Sequence, residues 1–251
     1  MTVSVLRRKP TLVLDPYPHF VIEDALPEDL YATLEKEWPT EQLLSTDPYD
    51  NGICFRLKAD EMLKPNRVSD TWREFTRYHT SAEFYREVKD IFNDLMPEVP
   101  NLDESLGPRG WDKGTDLIGT DCQTVMHKPV DFSSRTPHID NPREIYAGLL
   151  YMPYDDDEST GGEFQIHKAT SNIVEVNKNK GREVGDKQGE IVKTVPYKKN
   201  TFVMFLNNSS QSVHSVSARK NATLHRRSVN IIAEFNRAAK KSMFNVKEIR
   251  R

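Results

Sequence analysis

The sequence lacks several features that define large classes of proteins. Its 2 cysteines, Cys54 and Cys122, are too few for a disulfide framework and fit a reducing compartment, although they could form one bridge. No run of about 18 apolar residues occurs, the length that a membrane-spanning helix needs. Arg7, Arg8 and Lys9 are not followed by the apolar stretch of a signal peptide. We therefore expect a cytoplasmic protein with no membrane association.

Neither sign of charge is in large excess. The chain carries 35 Lys and Arg residues against 38 Asp and Glu residues, a formal net charge of -3 at pH 7. This balance gives no bulk electrostatic attraction to nucleic acid, so no nucleic-acid partner is expected. No internal repeat or low-complexity tract is visible, and a chain of this length commonly forms one domain. We predict a single domain over residues 1–251.

Helical signals are concentrated in the first part of the chain. The apolar spacing after Pro27 predicts a helix that Asp24 caps and Pro39 ends. A second apolar stripe predicts a second helical region over residues 70–95. The remaining predictions for this part are strands at 11–14 and 20–22 and loops at 45–52 and 101–114.

From residue 120 onward the pattern changes to short strands. They are predicted at 122–126, 146–151, 163–167, 171–176, 190–197, 201–206, 211–216 and 228–235, with 177–189 as an exposed hairpin tip. Many short strands after a helical first part predict a mainly β fold with helices (α+β). Its core would be a double-stranded β-helix, the cupin-like jelly roll, over residues 116–237. Residues 1–115 would form a helical N-terminal layer packed outside, and residues 238–251 a basic C-terminal tail.

The stretch PHIDNP at 137–142 contains the first candidate metal ligands. His138 and Asp140 lie two residues apart, so their side chains project from one face of an extended strand. His214, within SVHSV at 212–216, is the better placed later candidate for a third ligand. Two His and one carboxylate on one side of a metal form the facial triad of non-haem Fe(II) oxygenases. The H-x-D pair alone is weak, so the later residues decide the interpretation.

The last predicted strand has one polar and one apolar face. Arg226 and Ser228 share the polar face, whereas Arg227 shares the other with apolar residues that would pack beneath helices. A guanidinium and a hydroxyl at this spacing can hold a carboxylate from two directions. Arg226 follows His214 by 12 residues, enough for a strand, a turn and an antiparallel return into the barrel that holds the metal. The opposite assignment, with Arg227 inside, is the alternative.

The ordered set of H-x-D at 138–140, His214 and R-x-S at 226–228 resembles the Fe(II)/2-oxoglutarate-dependent dioxygenases. The segments HIDNP at 138–142, LLYM at 149–152, GGEF at 161–164 and NTFVMF at 200–205 are similar to the prolyl 4-hydroxylase-like branch. The likeness covers roughly the predicted β part of the chain. The helical first part matches only loosely.

The resemblance implies a role for each candidate residue. The iron ligands and catalytic centre would be His138, Asp140 and His214, and the 2-oxoglutarate-binding residues Arg226, Ser228 and Tyr151. The implied reaction uses Fe(II), 2-oxoglutarate and O2, with ascorbate as an accessory reductant. It hydroxylates an unactivated C–H bond and releases succinate and CO2. Because the carboxylate of the triad is retained, hydroxylation is favoured over halogenation.

The resemblance leaves the substrate open. Members of this branch act on peptidyl proline, free amino acids and other small metabolites, so a peptide or small-molecule substrate is expected, and no oligomeric state is predicted. Family members often carry a tyrosine shortly before the first iron ligand. This sequence has Met126, His127 and Lys128 in that neighbourhood, and His127 is a weak substitute.

Two other functions are alternatives to the hydroxylase. A cupin-type metal-binding protein of non-oxygenase chemistry would leave Arg226 and Ser228 unexplained. A non-catalytic protein with a relic site is disfavoured, because the ligand set is complete. The remaining histidines that we considered are expected to be structural or exposed: His19, His79, His167 and His225.

Overall fold

The computed structural model describes residues 3–46, 53–109, 117–132, 135–171, 174–175, 182–185, 189–245 and 249–250. The helices are α1 Glu28–Lys36, α2 Ala59–Met62, α3 Asp70–His79, α4 Ala82–Phe92 and α5 Leu102–Ser105, with 3-10 turns at Glu41–Leu43, Asn93–Leu95 and Arg237–Ala239. Within the described ranges, no helix is long and apolar enough to cross a membrane.

Most of the regular structure is β strand. The strands are β1 His19–Ile22, β2 Ser45–Thr46, β3 Cys54–Leu57, β4 Leu106–Pro108, β5 Ile118–His127, β6 Arg135–His138, β7 Glu144–Tyr151, β8 Phe164–Ala169, β9 Val174–Glu175, β10 Gly189–Val195, β11 Phe202–Leu206, β12 His214–Val216, β13 Arg226–Phe235 and β14 Ile249–Arg250. This mixed α and β composition, dominated by antiparallel strands, is the fold class that the sequence predicts.

The larger sheet has eight strands in the order β1-β11-β7-β13-β5-β3-β2, with β4 beside β5. Its pairs are antiparallel except that of β4 with β5. The central strand β13 pairs with β5 on one side and β7 on the other. Strands β1 to β4 come from the first 115 residues, so this part contributes to the sheet as well as supplying helices.

The two faces of the larger sheet pack against different layers. On one face, Val229 of β13 lies in a buried cluster with Trp72 of α3 and Phe84 of α4. On the other face, Phe205 of β11 lies in a second cluster with Phe164 of β8, which belongs to the smaller sheet. Full burial of such a side chain contributes roughly 1.5–3 kcal/mol. The larger sheet therefore lies between the helices and the smaller sheet.

The helical region predicted over residues 70–95 is divided into α3, α4 and the 3-10 turn at Asn93–Leu95. After α3 ends at His79, Ser81 has an extended backbone with ψ 164° and its Oγ accepts a hydrogen bond from Phe84 N at 3.3 Å. Both helices bury apolar residues in the same cluster. The apolar spacing therefore continues across the break, and periodicity alone could not show it.

Asp24 does not cap α1. The N-cap is Pro27, which makes no side-chain hydrogen bond, and Asp24 has a left-handed backbone with φ 49°. The N–H groups of Ala25 and Leu26 donate instead to the backbone O and the Oδ1 of Asn200, each at 2.9 Å. The entry to this helix is thus held by a residue distant in sequence.

Three local predictions near the start of the chain also fail. Residues 11–14 form no strand, and Val13 makes only an isolated bridge to His19. The predicted loop at 45–52 contains β2, and the predicted loop at 101–114 contains α5 and β4. The rest of these loops, 47–52 and 110–114, lies outside the described residues.

The smaller sheet has the order β10-β8-β12-β6, which places β6 at its edge. A short segment covers that edge: Val184 N donates to Pro137 O at 2.8 Å, and Ile139 N donates to Arg182 O at 3.2 Å. The predicted exposed tip at 177–189 is therefore wrong for 182–184, while 177–181 and 186–188 lie outside the described residues. Part of the predicted C-terminal tail also packs here, with Phe244 buried beside Ile139.

A buried ionic triad ties β7 and β13 to the end of β4. Arg109 Nη2 lies 3.2 Å from Glu144 Oε1, and its Nε lies 3.2 Å from Glu234 Oε2, with both glutamates less than a tenth exposed.

Arg109→Met leaves two buried carboxylates without this partner, so we expect it to lower the free energy of unfolding by about 3–5 kcal/mol. Urea denaturation measures this change. Arg86→Met, which removes an exposed pair with Asp103, is the control and should cost below about 1 kcal/mol; equal losses would show that the triad contributes no more than a surface pair.

Candidate metal centre

The structure brings His138, Asp140 and His214 together between the two sheets. One potential ligand atom from each residue lies within 4.8 Å of the other two. His138 Nε2 is 3.7 Å from Asp140 Oδ1, and His214 Nε2 is 3.5 Å from Asp140 Oδ2. Within the described part of the chain, this is the only group of three or more His, Cys, Asp or Glu residues arranged in this way.

Hydrogen bonds to the backbone orient both imidazoles. His138 Nδ1 donates to Thr136 O at 2.8 Å, and His214 Nδ1 donates to Ser212 O at 2.9 Å. Each ring is thereby held in the tautomer whose Nε2 carries a free lone pair. This is the arrangement that metal-binding histidines usually have, with the second nitrogen bonded to a fixed acceptor.

Burial keeps the two histidines neutral. It lowers the pKa of His214 to about 4, and, together with the neighbouring His214, it lowers the pKa of His138 well below its usual value. Burial raises the pKa of the Asp140 carboxyl, and the positive charge of Arg135 acts in the opposite direction. Neutral imidazole is the form that binds a metal, and a bound cation would favour the ionised carboxylate.

Strand pairing and one buried amide position the three side chains. His214 of β12 is the direct pairing partner of His138 of β6, which brings the rings to a centroid distance of 4.2 Å. Asn207 is fully buried and its Nδ2 donates to Asn141 O at 2.8 Å and to Glu144 O at 3.1 Å. Asn207 therefore holds the turn that follows Asp140, a role that no sequence pattern indicates.

Arg226 enters the same interior from the larger sheet, as the alternation of β13 predicts. Its side chain is buried and its guanidinium lies 5.2 Å from the ring of Tyr151 and 4.9 Å from the ring of Tyr197. Arg226 Nε donates to Gly162 O at 2.9 Å, whereas Nη2 has no hydrogen-bond partner within the described residues. A buried donor without an acceptor is costly, so this atom indicates a place for an anionic ligand.

Tyr151 and Ser228 both lie beside Arg226, but their hydroxyl groups differ. The Tyr151 hydroxyl has no hydrogen-bond partner within the described residues, and burial raises the pKa of Tyr151 to about 12, so it remains a donor. Ser228 Oγ donates to Asn230 Oδ1 at 3.0 Å. Tyr151 is thus the better placed of the two to donate to a ligand on Arg226.

Sequence reasoning missed two residues of this pocket. Tyr197 covers one side of Arg226, and only its position at the end of the predicted strand 190–197 could have marked it. Gly161 has φ +87° and Gly162 has φ +81°. A Cβ on Gly161 would lie 2.0 Å from Ala218 O. The GGEF motif therefore makes a turn that only glycine fits easily, and this turn presents the Gly162 carbonyl to Arg226.

The remaining histidines lie apart from the metal group. His127 of β5 is the direct pairing partner of Arg226, and its Nδ1 has no hydrogen-bond partner within the described residues. His79 and His19 are buried and bonded to backbone carbonyls, His167 bonds Ser215 Oγ at 2.7 Å, and His225 contacts the ring of Phe55. Their placement agrees with structural roles for these four.

No protein-family model matches the sequence, and no curated protein matches it either. Solved structures do match. A prolyl-4-hydroxylase from Pseudomonas putida is similar at a TM-score of 0.50 and 15% identity, over 88% of this chain and 94% of that chain. A prolyl hydroxylase from Trichoplax adhaerens, in complex with a peptide fragment of the hypoxia inducible factor oxygen degradation domain, is similar at a TM-score of 0.52 and 10% identity, over 90% of this chain and 88% of that chain.

A third similar structure has a different activity. It is the non-haem α-ketoglutarate-dependent epimerase SnoN from nogalamycin biosynthesis, at a TM-score of 0.50 and 10% identity, over 86% of this chain and 78% of that chain. Identities this low establish a common fold and leave the reaction to the site itself. The resemblance drawn from the sequence is confirmed at the level of the fold, which this chain shares with these two prolyl hydroxylases.

Proposed function

We propose that this protein is an Fe(II)- and 2-oxoglutarate-dependent dioxygenase that hydroxylates an unactivated C–H bond, with release of succinate and CO2. One observation carries the proposal. The triad of His138, Asp140 and His214 shares an interior with the buried Arg226, whose Nη2 has no partner within the described residues. A cupin-type protein of other chemistry would need the triad but would have no use for Arg226.

The residues present fit both the metal and the cosubstrate. Two imidazole nitrogens and one carboxylate are the ligands of the facial iron site. In His138 and His214 the Nδ1 atom is bonded to the backbone, which leaves Nε2 of each ring for the metal. Arg226 would bind the distal carboxylate of 2-oxoglutarate, and the Tyr151 hydroxyl would donate to the same group. When bound, Fe(II) and 2-oxoglutarate supply the activation of O2 and the hydrogen abstraction, with ascorbate as an accessory reductant.

The chain itself orients these groups and excludes water. Phe205 and Phe164 lie against the ring of His214, at centroid distances of 4.5 and 5.3 Å, and keep that side of the site apolar. Tyr17 closes the same side, where its hydroxyl donates to Val213 O at 3.2 Å. Substrate would therefore approach from the other side, past Asp140.

The finer points of the fold and the substrate belong to the same proposal. We take the two facing sheets as the larger and smaller sheets of a double-stranded β-helix, within a single domain over residues 1–251. The substrate would be a peptidyl proline, a free amino acid or another small metabolite. The Trichoplax adhaerens relative was solved with a peptide, whereas the nogalamycin relative is an epimerase, so neither decides between these classes.

Succinate formation tests the proposal. The purified protein is incubated with 2-oxoglutarate and O2, with and without Fe(II), in the presence of amino acids, proline peptides and sugars in turn. We expect Fe(II)-dependent conversion of 2-oxoglutarate to succinate, stimulated by the correct substrate class. No conversion under any condition, in protein shown to bind iron, would contradict the proposal.

Asp140 also predicts the type of product. If the Asp140 carboxylate occupies one coordination position of the metal, no position is left for chloride. Asp140→Gly should therefore allow a halide to bind the metal while hydroxylation falls. In the anaerobic complex with Fe(II) and 2-oxoglutarate, we expect chloride to change the visible absorption of Asp140→Gly but not of the unaltered protein. Asp140→Glu keeps the carboxylate and should retain more activity, although the tolerance of such sites is about 0.5 Å. A chlorinated product from the unaltered protein would contradict the assignment of Asp140 as a metal ligand.

A further inference from the structure

We infer that Arg182 and Phe244 are positioning residues for the metal centre, which hold the backbone on the two sides of Asp140. The inference rests on the proposed function, because it takes the triad as the metal site. It concerns how tightly the three ligands hold a divalent cation. Neither residue belongs to the ligand group, and each comes from a segment distant from the Asp140 turn in the sequence.

The two histidines and the carboxylate of the triad are fixed in different ways. His138 and His214 are direct pairing partners in the smaller sheet, so the strand ladder sets their positions. Strand β6 ends at His138, and Asp140 lies in the turn that follows, beyond that pair. The position of the carboxylate therefore depends on the contacts that hold the backbone of residues 139–142.

Arg182 holds both backbone polar groups of the residue before Asp140. Arg182 Nε donates to Ile139 O at 3.1 Å, and Ile139 N donates to Arg182 O at 3.2 Å. Ile139 O belongs to the peptide group that leads to Asp140, and a peptide group is planar. The direction of this carbonyl therefore sets the position of the Asp140 Cα, so the guanidinium acts on the carboxylate through one peptide group.

Phe244 packs behind ligands from both strands. Ile139 lies between the first two ligands in the sequence, and Val213 directly precedes the third. Successive side chains of an extended chain point in opposite directions, so Ile139 and Val213 point away from the ligand side. Both are fully buried in a small apolar cluster that also contains Phe244.

The residue beside Phe244 makes a contact on the far side of the turn. Met243 N donates to Pro142 O at 2.7 Å, two residues after Asp140. The Phe244 side chain is only 7% exposed, so its burial keeps this donor in place. Arg182 before Asp140 and Phe244 after it therefore hold the turn from two separate segments.

Contacts behind a metal ligand affect affinity because the ligand atoms must stay within about 0.5 Å of the productive geometry. Loss of such a contact typically weakens metal binding by about 10–100-fold. A residue that contributed only to stability would leave the metal affinity of the folded protein unchanged. Metal affinity, measured separately from stability, is therefore the quantity that distinguishes the two roles.

Calorimetric titration of the untagged full chain with Ni(II) tests the inference. Ni(II) binds a site of imidazole and carboxylate ligands more tightly than Fe(II), so weakened binding remains measurable. We expect Arg182→Met and Phe244→Ala each to weaken Ni(II) binding at least about tenfold. Phe244→Leu keeps an apolar side chain in the cluster and should recover most of the lost affinity.

Two control variants remove similar contacts elsewhere in the fold. Arg7→Met removes a bond from a guanidinium Nε to a backbone carbonyl, that of Ala25, at 3.0 Å. Phe92→Ala removes a buried ring of α4 from the cluster on the helical side of the larger sheet. Both should lower the thermal transition and leave the Ni(II) affinity within about twofold of the unaltered protein. Equal losses of affinity in Phe244→Ala and Phe92→Ala would overturn the inference, as would unchanged affinity in Arg182→Met.

The Asp140→Ala background shows whether Arg182 acts through the carboxylate. Only the two histidines remain there to bind Ni(II), so adding Arg182→Met should weaken binding by less than about twofold. A tenfold loss in that background would show that Arg182 acts elsewhere, which contradicts the inference. If Phe244→Ala fails to fold, Arg182→Met in the two backgrounds decides the outcome.

Failure here is distinguishable from failure of the proposed function. Fe(II)-dependent succinate formation, with Ni(II) affinity unchanged in the Arg182 and Phe244 variants, would overturn this inference alone. Affinity that falls in these variants, in a protein that forms no succinate, would overturn the proposed function and leave the positioning role in place. No Ni(II) binding by the unaltered protein would overturn both.

Discussion

Alanine at His138, Asp140 or His214 is expected to abolish turnover of 2-oxoglutarate and strongly weaken metal binding. Each residue would supply one of only three protein ligands, and the remaining two cannot hold iron in the facial arrangement. Iron content after dialysis, together with succinate formation, measures both effects. Of all the substitutions considered, these three should have the largest consequences.

The matched control is a histidine outside the group. His225 contacts Phe55 through its ring and lies away from the triad, so His225→Ala should keep both iron and activity. Full Fe(II)-dependent activity in His214→Ala would show that His214 is not the third ligand. Unfolding would be excluded as a cause by comparing the thermal transitions of the variants without metal.

Arg226→Ala should raise the apparent KM for 2-oxoglutarate far more than Arg227→Ala. Arg226 faces the interior, and its Nη2 has no hydrogen-bond partner among the residues that the structure describes. Removing a buried cation from its carboxylate costs on the order of 2–5 kcal/mol. That cost corresponds to roughly thirtyfold or more in affinity. Titration of the anaerobic Fe(II) protein with 2-oxoglutarate measures the affinity directly.

Arg227 is a close control because it follows Arg226 on the same strand but faces the helices. Its Nε donates to Met152 O at 2.9 Å, and its guanidinium lies 3.6 Å from the ring centroid of Tyr154. Arg227→Ala should therefore lower stability while the affinity for 2-oxoglutarate stays close to that of the unaltered protein. A larger loss of affinity in Arg227→Ala than in Arg226→Ala would show that the cosubstrate binds elsewhere.

The placement of Arg226 could be predicted because strand alternation is a strict rule. A period of two separates Arg226 from Arg227, and the apolar residues that share a face with Arg227 mark that face as the one beneath the helices. The same rule suggested the pair of His138 and Asp140, although β6 ends at His138 and Asp140 lies in the turn that follows. These predictions needed only the local geometry of one strand.

Other parts of the site depend on contacts between distant segments. Arg135 lies three residues before His138 and would point outward in a regular strand, so the bulge that turns it inward is invisible in the sequence. Tyr197 and Asn207 act through partners that pair with them only in the folded chain. The break between α3 and α4 was missed because both helices bury apolar residues in one cluster.

The two tyrosines that lie against Arg226 have a consequence for the entropy of binding. An arginine side chain free in solution has about 2 kcal/mol of rotamer entropy to lose when it is fixed on a ligand. Here Tyr151 and Tyr197 lie over the guanidinium and Gly162 O fixes Nε, so this loss has already occurred during folding. A carboxylate that binds Arg226 therefore meets a rigid donor, and nearly all of the interaction energy is retained as affinity.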